Sequence, residues 1–394
     1  MKNSTVPNIP TVTVKELCQD IQKIYETCIE NDLPLLNVVS YGLPGIGKSE
    51  CIKELASKID IRPILGRKGI RHNIDSKGIG FINRRLSQVF LTDIQGNPIN
   101  IELEDGEIKQ TYSTPSYLPS ISVDGEYGLL LFDELNMASP TVAGMIQQLL
   151  DSRKIGSYTL PKGWMILSGM NLRSMGCHVN ELSSANNSRV IHYNVQEDLD
   201  SWIKDYAILN KIDPLIISYL KNEYPNHFYV LPTSEQKNFP CPRTWTYAST
   251  LIKAGLIERV DSAVGDAIGA SFKSYYETKN QMPDWLKAGL PDYKYEYDKS
   301  DLSLPWAIVQ VAVFKTNIEN LDRLVSFIDG YFGTEYLATY VESVNLICQS
   351  MAEKSKDYSL MEKLSEAKIK NGRVSVTDLV LDIQKDINLV EKSK

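Results

Sequence analysis

The segment Gly42-Leu43-Pro44-Gly45-Ile46-Gly47-Lys48-Ser49 constrains this chain more than any other stretch. Its glycines let the backbone close tightly enough for successive N–H groups to surround an anion, an approach that a Cβ would block. Directly before it lies the apolar run Leu35-Leu36-Asn37-Val38-Val39-Ser40-Tyr41, and directly after it the helical run Glu50-Cys51-Ile52-Lys53-Glu54-Leu55-Ala56. Strand, loop and helix in that order make a Walker A phosphate loop. The helix points the positive end of its dipole at bound phosphate. Gly42, Pro44, Gly45, Ile46 and Gly47 are read as the cradle, Lys48 as a point charge on the phosphates, and the Ser49 hydroxyl as a Mg²⁺ ligand.

Leu129-Leu130-Leu131-Phe132-Asp133-Glu134 supplies the second half of such a site. An unbroken apolar run suits a parallel strand buried on both faces, and the two acids then fall at its carboxyl edge. In this Walker B reading Asp133 holds the Mg²⁺ and Glu134 orients and polarises the attacking water.

A chain of 394 residues is long enough for two or three domains. Its net charge of −7 argues against a general nucleic-acid coat, which needs a basic face. Arg62, Arg67, Lys68, Arg71, Lys77, Arg84 and Arg85 still cluster between the loop helix and the next strand, either as a local basic face or as a solvated loop. The six cysteines form no C-x-x-C pair, which disfavours a disulfide framework or a zinc site. The four histidines, His72, His178, His192 and His227, lack metal-ligand spacing and read as structural or surface residues. No apolar leader and no stretch long enough to span a bilayer is evident, so a cytoplasmic, reduced protein is expected, with no membrane partner.

Along the chain, residues 14–30 have helical periodicity and residues 35–41 form the first core strand. Gly80 to Leu86 reads as a second strand. Alternation on either side of Glu104-Asp105-Gly106-Glu107 predicts a β-hairpin from Ile99–Leu103 and Ile108–Tyr112. Ser139-Pro140 opens a helix through Leu150 with a cap and a first-turn proline. A second hairpin signal spans Gly156–Gly163, the strand Trp164–Ser168 ends at Gly169-Met170-Asn171, and Val190–Tyr193 is a last short strand. Beyond Gln196 the pattern is mainly helical, with a loop or linker over 284–305.

Walker A, Walker B and a polar residue ending the next strand are the ordered parts of an AAA+ ATPase module, and the chain resembles the MoxR-type, dynein-related branch, with the look of phage and bacterial relatives. Arg85-Leu86-Ser87-Gln88, Thr92-Asp93-Ile94-Gln95-Gly96-Asn97-Pro98 and Pro115-Ser116-Tyr117-Leu118-Pro119 are similar to that branch's insert. Asp133-Glu134-Leu135-Asn136-Met137-Ala138-Ser139-Pro140 is similar to its Walker B continuation, departing at Met137, where an arginine is common. The resemblance implies ATP with Mg²⁺ as cofactors, and no Asn-Lys-x-Asp signature for guanine is evident. It implies Asn171 as sensor 1, Arg189 as the arginine finger and Arg243 as sensor 2 on the lid. Independently, a polar side chain ending the strand beside Walker B faces the phosphates by geometry. Arg173 is a rival finger.

The expected fold is therefore an α/β AAA+ P-loop core, a five-stranded parallel αβα sandwich, with a helical lid and a helical C-terminal extension. The domains expected are an N-terminal helical segment (1–34), the core with β-hairpin inserts (35–195), the lid (196–283), and a linker with the extension (284–394). The resemblance implies a homo-oligomeric ring, a hexamer, whose ATP hydrolysis drives chaperone-like remodelling of a protein client, often one carrying a von Willebrand A domain. Two alternatives stay open: a DNA-directed motor or loader, and a nucleotide-gated assembly switch with little turnover.

Overall fold

A computed structural model describes residues 8–70, 78–102, 104, 106–171, 187–231, 237–278, 282–301, 303–369 and 374–375. The sequence readings at Arg71, His72, Lys77, Arg173, Cys177 and His178 lie outside the described residues. The chain divides into two compact units, Met1–Asp198 and Leu199–Lys394.

The first unit opens with β1 (Thr11–Thr13) and α1 (Val14–Glu30). Thr13 caps this helix reciprocally: its hydroxyl accepts the Glu16 N–H at 3.2 Å, and the Glu16 carboxylate accepts the Thr13 N–H at 2.7 Å. The stripe Leu17, Cys18, Ile21, Tyr25 and Cys28 is buried, as helical spacing requires. Then follow β2 (Val38–Gly42), α2 (Lys48–Lys58), α3 (Arg62–Arg67), β3 (Gly80–Arg85) and α4 (Leu91–Gln95). An exposed antiparallel hairpin pairs β4 (Pro98–Glu102) with β5 (Ile108–Tyr112). After α5 (Ile121–Asp124) come β6 (Tyr127–Asp133) and α6 (Pro140–Ser152), whose cap Ser139 accepts the Val142 N–H. The short pair β7 (Lys154–Ile155) and β8 (Tyr158–Thr159) leads into β9 (Gly163–Met170), and β10 (Ile191–Gln196) closes the unit.

The main sheet has the order β1-β10-β2-β9-β6-β3, and every pair in it is parallel. Parallel neighbours need crossovers, which the helices between the strands supply. The central strands are buried on both faces: all eight residues of β9 are buried, as are Gly128–Phe132 of β6, which is why these segments read as continuous apolar runs. The five-stranded parallel core is thus present as β10-β2-β9-β6-β3, and β1 adds a sixth strand at the edge through Thr11↔Asn194 and Thr13↔Gln196. Three residues are too few to register as a strand by periodicity.

The second unit is helical apart from the antiparallel pair Lys368–Ile369 with Val374–Ser375 among the described residues. One core gathers Trp202, Tyr219, Trp245 and Phe272, with Tyr219 edge-on to Phe272 at 5.2 Å. Another is built from the helices Leu304–Lys315, Leu321–Tyr331 and Thr334–Ser355. Before the first of these helices the chain lacks regular structure. There the alternate tyrosines Tyr293, Tyr295 and Tyr297 pack against this second core.

Candidate active site

Strand register brings the sequence motifs to one edge. Tyr41 pairs with Met170, Phe132 with Ser168 and Arg85 with Asp133. Gly42, Asn171, Asp133 and Arg85 therefore stand at the carboxyl ends of four strands, where open α/β sheets bind ligands.

The phosphate loop leaves β2 at Gly42 and enters α2 at Lys48. Gly47 caps the helix with φ of 98°, a left-handed conformation that side chains resist, and Gly45 has φ of 79°. Lys48 is 9% exposed, and its ammonium donates to the carbonyls of Gly42 at 2.9 Å and Leu43 at 3.0 Å. These contacts place a buried positive charge where the glycine loop closes. Below the loop, Tyr41 on β2 stacks on His192 of β10 and its hydroxyl meets the ring Nδ1 at 3.0 Å, while burial pushes the phenol pKa up and keeps it neutral.

Ser49 Oγ donates to Asp133 Oδ2 at 2.8 Å, so the loop's hydroxyl and the strand's carboxylate already meet. The other carboxylate oxygen, Oδ1, accepts the Glu134 N–H at 3.0 Å. Room for this carboxylate is provided by Gly169 on β9, where a Cβ would lie 2.8 Å from Asp133 Oδ1. Glu134 has φ of 57°, a left-handed conformation that costs a non-glycine residue about 1–2 kcal/mol and turns the chain sharply after the strand. Its carboxylate accepts a short hydrogen bond from Ser87 Oγ and lies 3.5 Å from Arg85 Nε, so its partners come from the end of β3 and the turn Leu86–Gln88 that follows it.

Asn171 follows β9, and its peptide is clamped by a residue that the sequence reading did not single out. Asn136, 4% exposed in the turn after Glu134, donates from Nδ2 to Asn171 O at 2.7 Å and accepts the Asn171 N–H on Oδ1 at 3.3 Å. Gly169, Ser87 and Arg85 as the partner of Glu134 were also missed. The one signal for Asn136 was an amide placed two residues beyond the acid pair.

Arg189 does not join the site of its own chain. It precedes Ile191, which pairs with Val38 at the amino end of β2, whereas Val195 pairs with Gly42 at the loop. Four residues at ~3.3 Å each put about 13 Å between those two levels. Arg189 O accepts from Asn37 Nδ2 at 3.2 Å, and its Nε donates to Asp151 on α6 at 2.6 Å. Arg243 opens the helix Pro242–Lys253 of the second unit. Within the basic cluster, Arg62 pairs with Asp60, Arg67 with Glu30, Lys68 with Asp32 and Arg85 with Glu134, while Arg84 donates to Tyr117 O and lies over its ring at 4.7 Å.

The residues present fit a nucleotide with Mg²⁺. The Ser49–Asp133 pair is a set of hard oxygen donors suited to that ion, and buried Lys48 beside the glycine loop suits the phosphates. Strand order, a phosphate loop on β2, an acid pair ending β6 and a polar residue ending the strand between them define a P-loop α/β module of AAA+ architecture. No protein-family model matches this chain, and no curated protein matches it. Among solved structures it is similar to the RuvB Holliday junction branch migration motor of Thermotoga maritima, at 13% identity and a TM-score of 0.35 over 94% of each chain. It is also similar to S. cerevisiae Hsp104 in its ADP complex, at 14% identity and a TM-score of 0.35, covering 65% of this chain and 47% of that one. At such values neither likeness bears on activity or partners, and the fold rests on the strand order and the site. Among the described residues no helix is long and apolar enough to cross a membrane.

Proposed function

We propose that this chain is a Mg²⁺-dependent ATPase of the MoxR-type AAA+ branch that works as a homo-oligomeric ring, a hexamer by resemblance, and remodels a protein partner. The observation that carries this reading is the division of the site. Lys48, Ser49, Asp133, Glu134 and Asn171 belong to the loop edge of the sheet, while Arg189 precedes the amino end of its strand. A finger so placed serves a neighbour's nucleotide.

In this reading Lys48 binds the β- and γ-phosphates, and Ser49 and Asp133 hold the ion. When bound, Mg²⁺ neutralises charge developing on the phosphate oxygens. Glu134 leaves Ser87 and Arg85 to polarise the attacking water, and Asn171, held through its peptide by Asn136, positions that water. Arg189 of one subunit neutralises the transferring phosphoryl group in the next, an effect worth 10³–10⁵ in rate, or roughly 4–7 kcal/mol. Arg243 would sense the nucleotide from the lid. The exposed hairpin β4–β5, which carries Ile99, Ile101 and Ile108 on its surface, supports contact with a protein client, such as one with a von Willebrand A domain. The pairing of Arg62, Arg67, Lys68 and Arg85 with acids weakens the DNA-motor reading.

The test is a pair of variants. Lys48→Ala is expected to lose ATP binding, and Glu134→Gln to bind ATP while nearly stopping hydrolysis, which makes it the bait for a client. Equal loss of nucleotide affinity in both, or a clear preference for GTP, would overturn the assignment. Salt-sensitive stimulation of hydrolysis by DNA would move it to the motor reading.

A further inference from the structure

Two thiols that the nucleotide site does not use meet beside it. Cys18 belongs to the buried stripe of α1, and Cys51 lies in the first turn of α2, two residues after Ser49. Both are free cysteines, Cys18 buried and Cys51 partly exposed. Their sulfurs are 2.7 Å apart. Unbonded carbons rest about 3.5–4.0 Å apart and sulfur is larger, so the pair is closer than packing alone calls for. A disulfide bond of about 2.05 Å is then only ~0.65 Å shorter than the 2.7 Å that separates them.

We propose that Cys18 and Cys51 are a modification site: they form a reversible disulfide that pins α1 to the first turn of the phosphate-loop helix. The oxidant is a small-molecule disulfide, which oxidises a pair of thiols by two successive exchanges through a mixed disulfide. Cys51 reacts first, because it is the accessible member. Its thiolate attacks one sulfur of the reagent, forming a mixed disulfide and releasing one small thiolate. Cys18 then attacks the Cys51 sulfur as its own proton leaves to solvent, forming the protein disulfide and expelling the second small thiolate. Two protein thiols are oxidised and one reagent disulfide is reduced. The Cys18 pKa is raised, first by its hydrogen bond to Cys51 and then by burial, so it is the resolving thiol and not the entry point. The Cys51 N–H closes on Gly47 O at 3.0 Å, so the bridge would restrain the turn that carries Lys48 and Ser49.

The experiment treats the full chain with oxidised glutathione, alkylates the remaining thiols and maps peptides without reduction. The result expected is one joined pair through Cys18 and Cys51, with the mass of two hydrogens lost. The other four cysteines of the chain should take no part in the pair, the thermal midpoint should rise, and the bridge and the rise should both reverse with dithiothreitol. Cys18→Ser should stop at the mixed disulfide on Cys51. Glutathione persisting on wild-type Cys51 while Cys18 is alkylated, scrambled pairing among the cysteines, or no thiol loss would overturn the proposal. None of these readouts depends on ATP hydrolysis, so the proposal fails or stands apart from the proposed function.

Discussion

Asn136 should couple stability to turnover, and Asn136→Ala tests that link. The side chain is buried and spends its amide on the peptide of Asn171, donating at 2.7 Å and accepting at 3.3 Å. Truncation removes both bonds and leaves one backbone donor and one acceptor facing a small void. An unsatisfied buried polar group costs about 1–3 kcal/mol. Asn171 is partly exposed, so water recovers some of this loss, and a net destabilisation of about 2–4 kcal/mol is expected. The catalytic effect is separate. A misplacement of about 1 Å in a positioning group can cost ~10²-fold in rate, so turnover should fall by about one to two orders of magnitude. ATP affinity should hold, because Lys48 and Ser49 keep their own partners. Asn136→Asp keeps the acceptor for the Asn171 N–H but sets a carboxylate oxygen against the Asn171 carbonyl, and should be no better than alanine. Thermal unfolding, nucleotide binding and steady-state hydrolysis read the three quantities. A variant that is less stable but turns over normally would reduce Asn136 to a structural residue, and wild-type behaviour in all three would refute the argument.

Gly169→Ala places a Cβ 2.8 Å from Asp133 Oδ1 and must displace that carboxylate. The Mg²⁺ concentration for half-maximal hydrolysis should rise ~10–100-fold, with Mg²⁺-free nucleotide binding little changed; an unaltered Mg²⁺ titration would sink this idea. Arg189→Ala should bind ATP yet hydrolyse it slowly, down by up to ~10³–10⁵-fold. Mixing it with Lys48→Ala subunits should restore some activity, since an intact loop in one subunit can meet an intact arginine from another; absence of rescue, with specific activity independent of concentration, would return Arg189 to its pair with Asp151.

The sequence by itself determined the phosphate loop, the acid pair and the strands that carry them. These features are local: a glycine loop between a strand and a helix, or an apolar run ending in two acids, has its geometry written in adjacent residues. Helix α1 was legible for the same reason, its helical periodicity over residues 14–30 lying within a few turns of chain. Tertiary structure decided what depends on register and packing between distant segments. Sheet order put Asn136 against Asn171 across 35 residues, and Ser87 against Glu134 across 47. It also added β1 beside β10 and made room at Gly169 for Asp133. Cys18 and Cys51, scattered by sequence, became neighbours because α1 and α2 lie side by side. Above all, register set Arg189 at the far end of the sheet from its own phosphate loop. No spacing along the chain encodes that separation, because it arises only when β10 pairs with β2 in parallel, Ile191 level with Val38 and Val195 level with Gly42.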